Sequence, residues 1–93
     1  MTAGPLILVG KPGCHLCEVM HGVAAPVAAE LGLALTERDI RSDPDLDALY
    51  RHDIPVLLLD GREVARHRVS AEDLRARLEA LRRPSTVRDG TAS

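Results

Sequence analysis

The chain contains no phenylalanine and no tryptophan, and its one tyrosine is Tyr50. A core of aromatic rings is excluded, so Leu, Val, Ile and Ala have to fill the interior. Cysteine is nearly as scarce: Cys14 and Cys17 are the only two. Two cysteines cannot build the multiple-disulfide framework that holds many small secreted domains together. No apolar run approaches the roughly 20 residues that a membrane-spanning helix needs. Met1 to Pro5 carries no basic residue, and Leu6 to Val9 is too short for the apolar core of a signal peptide. A cytoplasmic location is therefore expected, with no membrane partner. No charge of one sign prevails either. The net charge is −2, and Arg62, Arg66, Arg68, Arg75 and Arg77 are interleaved with acids, so no nucleic-acid partner is expected.

What is present suits one small globular unit. Ninety-three residues hold a single core, and 45% hydrophobic with 28% charged residues is too apolar a mixture for a disordered chain. Residues 1–83 are expected to form one domain. Residues 84–93 lack an apolar face and are expected to be a disordered tail.

The apolar pattern changes period along the chain. Leu6-Ile7-Leu8-Val9 is a continuous apolar run suited to a strand buried on both faces, ended by Gly10. Lys11-Pro12-Gly13 is a turn. Leu16, Met20, Val23, Val27 and Leu31 then recur at helical spacing, with Gly32 as a stop and Pro26 expected to kink the helix without dividing it. Leu33 to Ile40 reads as a second strand, completing a parallel, right-handed βαβ unit. Ser42-Asp43-Pro44 starts a short helix whose buried face is expected from Leu46, Leu49 and Tyr50. Val56 to Leu59 is a third strand with Pro55 at its beginning, Asp60-Gly61 a tight hairpin turn, and Arg62 to Val69 a polar edge strand. The last helix starts at Ser70. Asp73 stands in the reciprocal position of a capping box, Val69 is placed to staple onto Leu74, and Leu74, Leu78 and Leu81 form the inner stripe. The expected fold is α/β in the order βαβ-α-ββα: a four-stranded mixed sheet with helices on both faces.

Chemistry concentrates in Lys11-Pro12-Gly13-Cys14-His15-Leu16-Cys17. The two cysteines stand two residues apart at a strand-to-helix junction. There the unpaired N–H groups of the first helical turn and the positive end of the helix dipole favour thiolate over thiol. In a reducing compartment such a pair points to a dithiol redox centre. A second reading remains at this level, in which Cys14, Cys17 and His21 supply three ligands to a metal or share a cluster across a dimer; a closed structural zinc site needs four. A third is a non-catalytic interaction domain.

These residues resemble the glutaredoxin-like proteins of the thioredoxin superfamily, and within it the small bacterial glutaredoxin-like group. The resemblance covers roughly residues 5 to 82. It rests on Lys11 to Cys17, on Asp39-Ile40, Asp43-Pro44 and Leu49-Tyr50, and on Ile54-Pro55-Val56 followed by Asp60-Gly61. It implies a thioredoxin/glutaredoxin-like fold and a thiol–disulfide oxidoreductase, with Cys14 as nucleophile and Cys17 as resolving thiol. It further implies a cis peptide bond before Pro55, with Ile54 turned to pair with an extended substrate. Lys11 matches the lysine that contacts glutathione. Three departures accompany the likeness. His15-Leu16 replaces the usual Pro-Tyr, Asp53-Ile54 stands where Thr-Val is usual, and the Gly-Gly that precedes the last helix is missing. Asp73 alone is left to stand for the acid that holds the γ-glutamyl end of glutathione. The expectations are no metal, no tightly bound cofactor, and a monomer. The substrate would be a disulfide-containing protein or a small thiol compound. Glutathione or a reductase would supply electrons, with weak glutathione activity.

Overall fold

Each central strand turns one set of side chains toward each face of the sheet. The computed structural model describes residues 5–82 of the chain. Its elements are β1 (Leu6–Gly10), α1 (His15–Leu31), β2 (Leu35–Asp39), a single 3-10 turn at Ile40–Ser42, α2 (Pro44–Tyr50), β3 (Val56–Leu59), β4 (Arg62–Arg66) and α3 (Ala71–Arg82). The sheet order is β2-β1-β3-β4, with β1 and β2 parallel and the other two pairings antiparallel. Period-2 alternation then sorts the core. Leu6 and Leu8 of β1 and Leu57 and Leu59 of β3 meet Met20, Ala24, Val27 and Ala28 of α1 and Leu74 and Leu78 of α3. Val9, Val56 and Leu58 face the other way onto Ile40, with Leu46 and Tyr50 of α2 packed against them. The expected four-stranded mixed sheet with helices on both faces is the architecture observed. The polar edge role expected of β4 holds, and β2, with its exposed Thr36, Glu37 and Arg38, forms the opposite edge.

The helix ends follow local chemistry. Gly32 adopts φ 73° and closes α1, its N–H reaching the carbonyls of Ala28 and Ala29. Asp43 caps α2, its carboxylate accepting from the N–H groups of Asp45 (3.0 Å) and Leu46 (3.4 Å), and Pro44 occupies the first turn. Asp60 and Gly61 both have positive φ, the geometry that a two-residue hairpin requires.

Five expectations are corrected by the structure. Leu49 is 65% exposed and does not join the inner face of α2; the helix covers fewer than two turns, and only Leu46 and Tyr50, one turn apart, point at the sheet. The second strand is shorter than Leu33–Ile40, because Leu33 donates to the Ala28 carbonyl (2.8 Å) in closing α1 and Ile40 enters the 3-10 turn. β4 ends at Arg66 and not at Val69: His67 takes φ 66° and donates its N–H to the Pro55 carbonyl (2.8 Å), which turns the chain out of the sheet. Half of the capping box forms, the Asp73 N–H donating to Ser70 Oγ (3.1 Å). The Asp73 carboxylate, however, accepts from Arg77 (2.9 Å) instead of reaching back to Ser70. Finally, the buried stripe of α1 is Cys17, Met20, Ala24, Val27 and Ala28, while Leu16, Val23 and Leu31 lie at its flanks. α1 runs as one element from His15 to Leu31 with the exposed Pro26 inside it. The expected tail, 84–93, lies outside the described residues.

Candidate redox site

One end of the sheet collects the loops that carry the cysteine pair and the Ile54-Pro55 segment. Val9 pairs with Val56, so Gly10 and Pro55 follow and precede them at the same edge of the two central strands. Asp39, at the end of β2, pairs with Gly10, and Arg66, at the end of β4, pairs with Val56. The turn carrying Lys11, the residues after β2, the Ile54-Pro55 segment and the residues after β4 therefore converge there. Open α/β sheets hold ligands at such an end, beyond the carboxyl ends of their parallel strands.

The cysteine pair stands on this end. Cys14 is the N-cap of α1, in extended conformation (φ −93°, ψ 110°), and its sulfur accepts the Cys17 N–H at 3.2 Å. Cys14 and Cys17 are joined as a disulfide with 5.2 Å between their Cα atoms. Their exposures differ: Cys14 is half-buried and Cys17 only 8% exposed. The cause is helical geometry, since Cys17 continues the Met20-Ala24-Val27 stripe one turn toward the N-terminus whereas Cys14 precedes the helix. A single N–H donor and the helix dipole thus meet the accessible sulfur, which is the setting that lowers the cost of a thiolate.

Gly10 is a site residue that sequence reasoning misread as a simple strand end. It is the last residue of β1 and is buried. A Cβ placed on it would stand 2.8 Å from Cys17 Sγ and 3.2 Å from Cys17 Cβ. The seat of the inner sulfur is therefore the bare backbone of β1. No sequence signal could reveal this, because it depends on how α1 lies across the strand.

The peptide bond between Ile54 and Pro55 is cis, as the resemblance implies, and Pro55 is fully buried. The Ile54 N–H is engaged within the protein. It donates to the Tyr50 carbonyl (3.2 Å), alongside the Asp53 N–H (2.8 Å), in the turn that closes α2. Arg66 braces this segment, binding Asp53 (3.1 Å) and Glu63 (2.6 Å) at once. The guanidinium hydrogen bond holds the Glu63 carboxyl below its ordinary value, and Glu63, with Asp53 beside it, pushes the Arg66 pKa up. The Arg66–Asp53 link between β4 and the loop before Pro55 is not among the sequence expectations.

Two depressions flank the disulfide. One, a cleft of about 580 Å3, runs between α1 and β2 and is lined by Lys11, Cys17, His21, Glu37 and Arg38 among others. The second lies between α1 and the segment before α3, against His15, Leu16, Val19, Arg68, Val69 and Ser70. Val19, 44% exposed, leaves the second partly apolar. Lys11 is exposed on the cleft wall. Asp73 is exposed, held by Arg77, and lines neither depression. His21 Nε2 lies 3.1 Å from the Glu37 carboxylate. Among the described residues no group of three or more His, Cys, Asp or Glu side chains comes together as a metal site. No helix among them is long and apolar enough to cross a membrane.

The comparisons with known proteins agree with this geometry. Residues 5–79 match the glutaredoxin-like domain family (DUF836). An uncharacterized protein of Mycobacterium tuberculosis is 31% identical over 81 residues, covering 82% of this chain and 84% of its own. Among solved structures, a structural genomics target from X. campestris superposes with a TM-score of 0.63 at 32% identity, over 81% of this chain and 96% of that one. Thioredoxin 1 of Thermosipho africanus superposes with a TM-score of 0.61 at 16% identity, over 83% and 92%, a likeness of fold alone. The chain has the α/β thioredoxin-like fold and belongs to the glutaredoxin-like domain family, with its Cys-x-x-Cys pair closed at the start of the first helix.

Proposed function

We infer that the protein is a thiol–disulfide oxidoreductase working by a dithiol mechanism. The observation that carries this reading is the asymmetry of the Cys14–Cys17 disulfide, with an accessible sulfur at the cap of α1 and a partner 8% exposed against Gly10. In the reduced protein the Cys14 thiolate attacks one sulfur of a substrate disulfide. A mixed disulfide forms and the first substrate thiol leaves. Cys17, deprotonated, then attacks Cys14 Sγ; the Cys14–Cys17 bond closes and the second substrate thiol departs. Two electrons pass from the dithiol to the substrate.

Lys11, Ile54, Pro55 and Asp73 are the substrate contacts of this reading. Lys11 offers a cation to a carboxylate or to the thiolate, and the Ile54 carbonyl is the backbone group that the cis segment offers a substrate at the Gly10 end of the sheet. Asp73 stands furthest from the sulfurs in function, its carboxylate already engaged by Arg77. The substrate is a disulfide-bearing protein or a small disulfide, the electron donor glutathione or a reductase, and the setting the reducing cytoplasm, with the protein acting as a monomer that needs no resident metal or cofactor.

Turnover assays with two donors test the reading. Reduction of a protein disulfide driven by dithiothreitol is expected to proceed catalytically, while glutathione at equal thiol concentration supports a rate lower by about tenfold, because the groups that hold its γ-glutamyl end are absent from the segment before α3. No turnover with any thiol donor would contradict the proposed activity. Equal rates would contradict the argument from that segment.

A further inference from the structure

Resolution requires Cys17 to lose a proton, and the interior beneath it offers no acceptor. Among the described residues no charged or polar side chain is buried, and Cys17 rests on Gly10 and the aliphatic stripe of α1. A thiol in apolar surroundings keeps its proton. Cys17 lines the cleft between α1 and β2. His21 lines that cleft too, four residues after Cys17 and so one helical turn above it on the same face. Glu37 reaches His21 from the edge strand, 3.1 Å from Nε2, because the parallel register sets Glu37 beside Leu8.

We propose that His21, oriented by Glu37, is the proton acceptor for Cys17 in the resolution step, acting through water in the cleft. The proposal rests on the dithiol reading above. With the Glu37 carboxylate 3.1 Å from Nε2, the neutral imidazole is assigned its hydrogen on Nε2, which leaves Nδ1 as the acceptor. The balance is simple. The Cys17 proton passes through a water to Nδ1, and the thiolate's electron pair forms the bond to Cys14 Sγ. The mixed disulfide breaks, and the departing substrate thiolate recovers a proton from the imidazolium or from solvent. A cleft of this size, with His21 and Glu37 on its wall, has room for the bridging water.

The other charged groups around the cleft compete less well. Asp39 is bound by Arg41 (2.8 Å), whose hydrogen bond holds its carboxyl below the ordinary value and makes it a poorer base. Lys11 and Arg38 are cations with no proton acceptor to offer. Glu18 follows Cys17 directly, and adjacent residues on a helix do not face one another. An imidazole is also the side-chain base best matched to neutral pH.

The test follows the two half-reactions of the reduced protein with one equivalent of a nitrobenzoate disulfide, whose released thiol is yellow. The first release reports attack by Cys14 and the second reports ring closure by Cys17. In His21→Gln the first release is expected to be unchanged and the second slowed about tenfold near neutral pH. The deficit shrinks as the pH rises, because hydroxide increasingly takes the Cys17 proton in place of the imidazole. Glu37→Gln shows the same pattern with a smaller deficit. A merely structural role would slow closure equally at every pH. Closure profiles in both variants that superimpose on the parent's, or a deficit that appears in Glu18→Gln instead, would overturn the proposal and leave the dithiol reading intact. A first release that survives at full rate in Cys14→Ser would instead overturn the dithiol reading itself.

Discussion

Cys14→Ser is expected to reduce disulfides at less than about a hundredth of the parent's rate, while Cys17→Ser accumulates a covalent adduct with its substrate. The asymmetry follows from the positions of the two sulfurs. Cys14 caps α1 and is the sulfur that a substrate can reach; without it no mixed disulfide forms, because Cys17 is 8% exposed and packed on β1. Without Cys17 the first attack still occurs, yet nothing within the protein can displace the substrate from Cys14. Mass spectrometry after incubation with a disulfide substrate checks both halves, since the parent and Cys14→Ser should carry no adduct and Cys17→Ser one. An adduct on Cys14→Ser in place of Cys17→Ser would reverse the assigned roles. The serine hydroxyl is close in size to the thiol, so neither substitution opens a large cavity that would obscure the result.

Gly10→Ala is expected to move the redox equilibrium of the pair toward the dithiol. The added Cβ stands 2.8 Å from Cys17 Sγ, closer than such atoms can approach. In the oxidised protein that sulfur is tied to Cys14 and cannot swing aside, so β1 or the start of α1 has to yield. In the reduced protein the Cys17 side chain is free to change rotamer. Overpacking of this kind costs about 1–3 kcal/mol, and if that cost falls mainly on the oxidised state the reduction potential rises by about 20–65 mV. A redox titration against a thiol buffer of known potential, read by quenching and alkylation, measures the shift. Thermal unfolding of both forms should show the oxidised variant losing more stability than the reduced one. An unchanged potential, with equal losses in both forms, would show that α1 absorbs the methyl group without disturbing the disulfide.

The parts of this structure that were legible in the sequence are those written in periodicity and in strong local signals. Leu6 to Val9 and Val56 to Leu59 read as buried strands because both faces of the sheet are covered. Gly32, Asp43-Pro44 and Asp60-Gly61 marked their turns and caps through backbone conformations that few other residues favour. The cysteine pair at the start of α1 was equally plain. What failed was whatever depends on packing between distant segments. Ala24 and Ala28 escape the periodic pattern because small side chains give little signal, yet both are buried against the leucines of the sheet. β4 stops at Arg66 because the next residue, His67, donates its N–H to the carbonyl of Pro55, far back in the chain before β3. Asp73 satisfied the spacing of a capping box, but Arg77, four residues on, is a cationic partner and wins the carboxylate. Gly10 ended a strand by its letter, and only the crossing of α1 over β1 shows that it seats Cys17. His21 and Glu37 meet only through the parallel register of β1 and β2.

The central claim is that two neighbouring sulfurs have been made chemically unequal by the start of one helix. Rapid alkylation of the fully reduced protein across a pH series, with each cysteine followed separately by peptide mass, tests it most directly. Cys14 is expected to react as a thiolate at pH values below the ordinary thiol value of about 8.5, and Cys17 to lag behind it throughout that range. Two cysteines with the same pH profile, both reacting as ordinary thiols, would contradict the account.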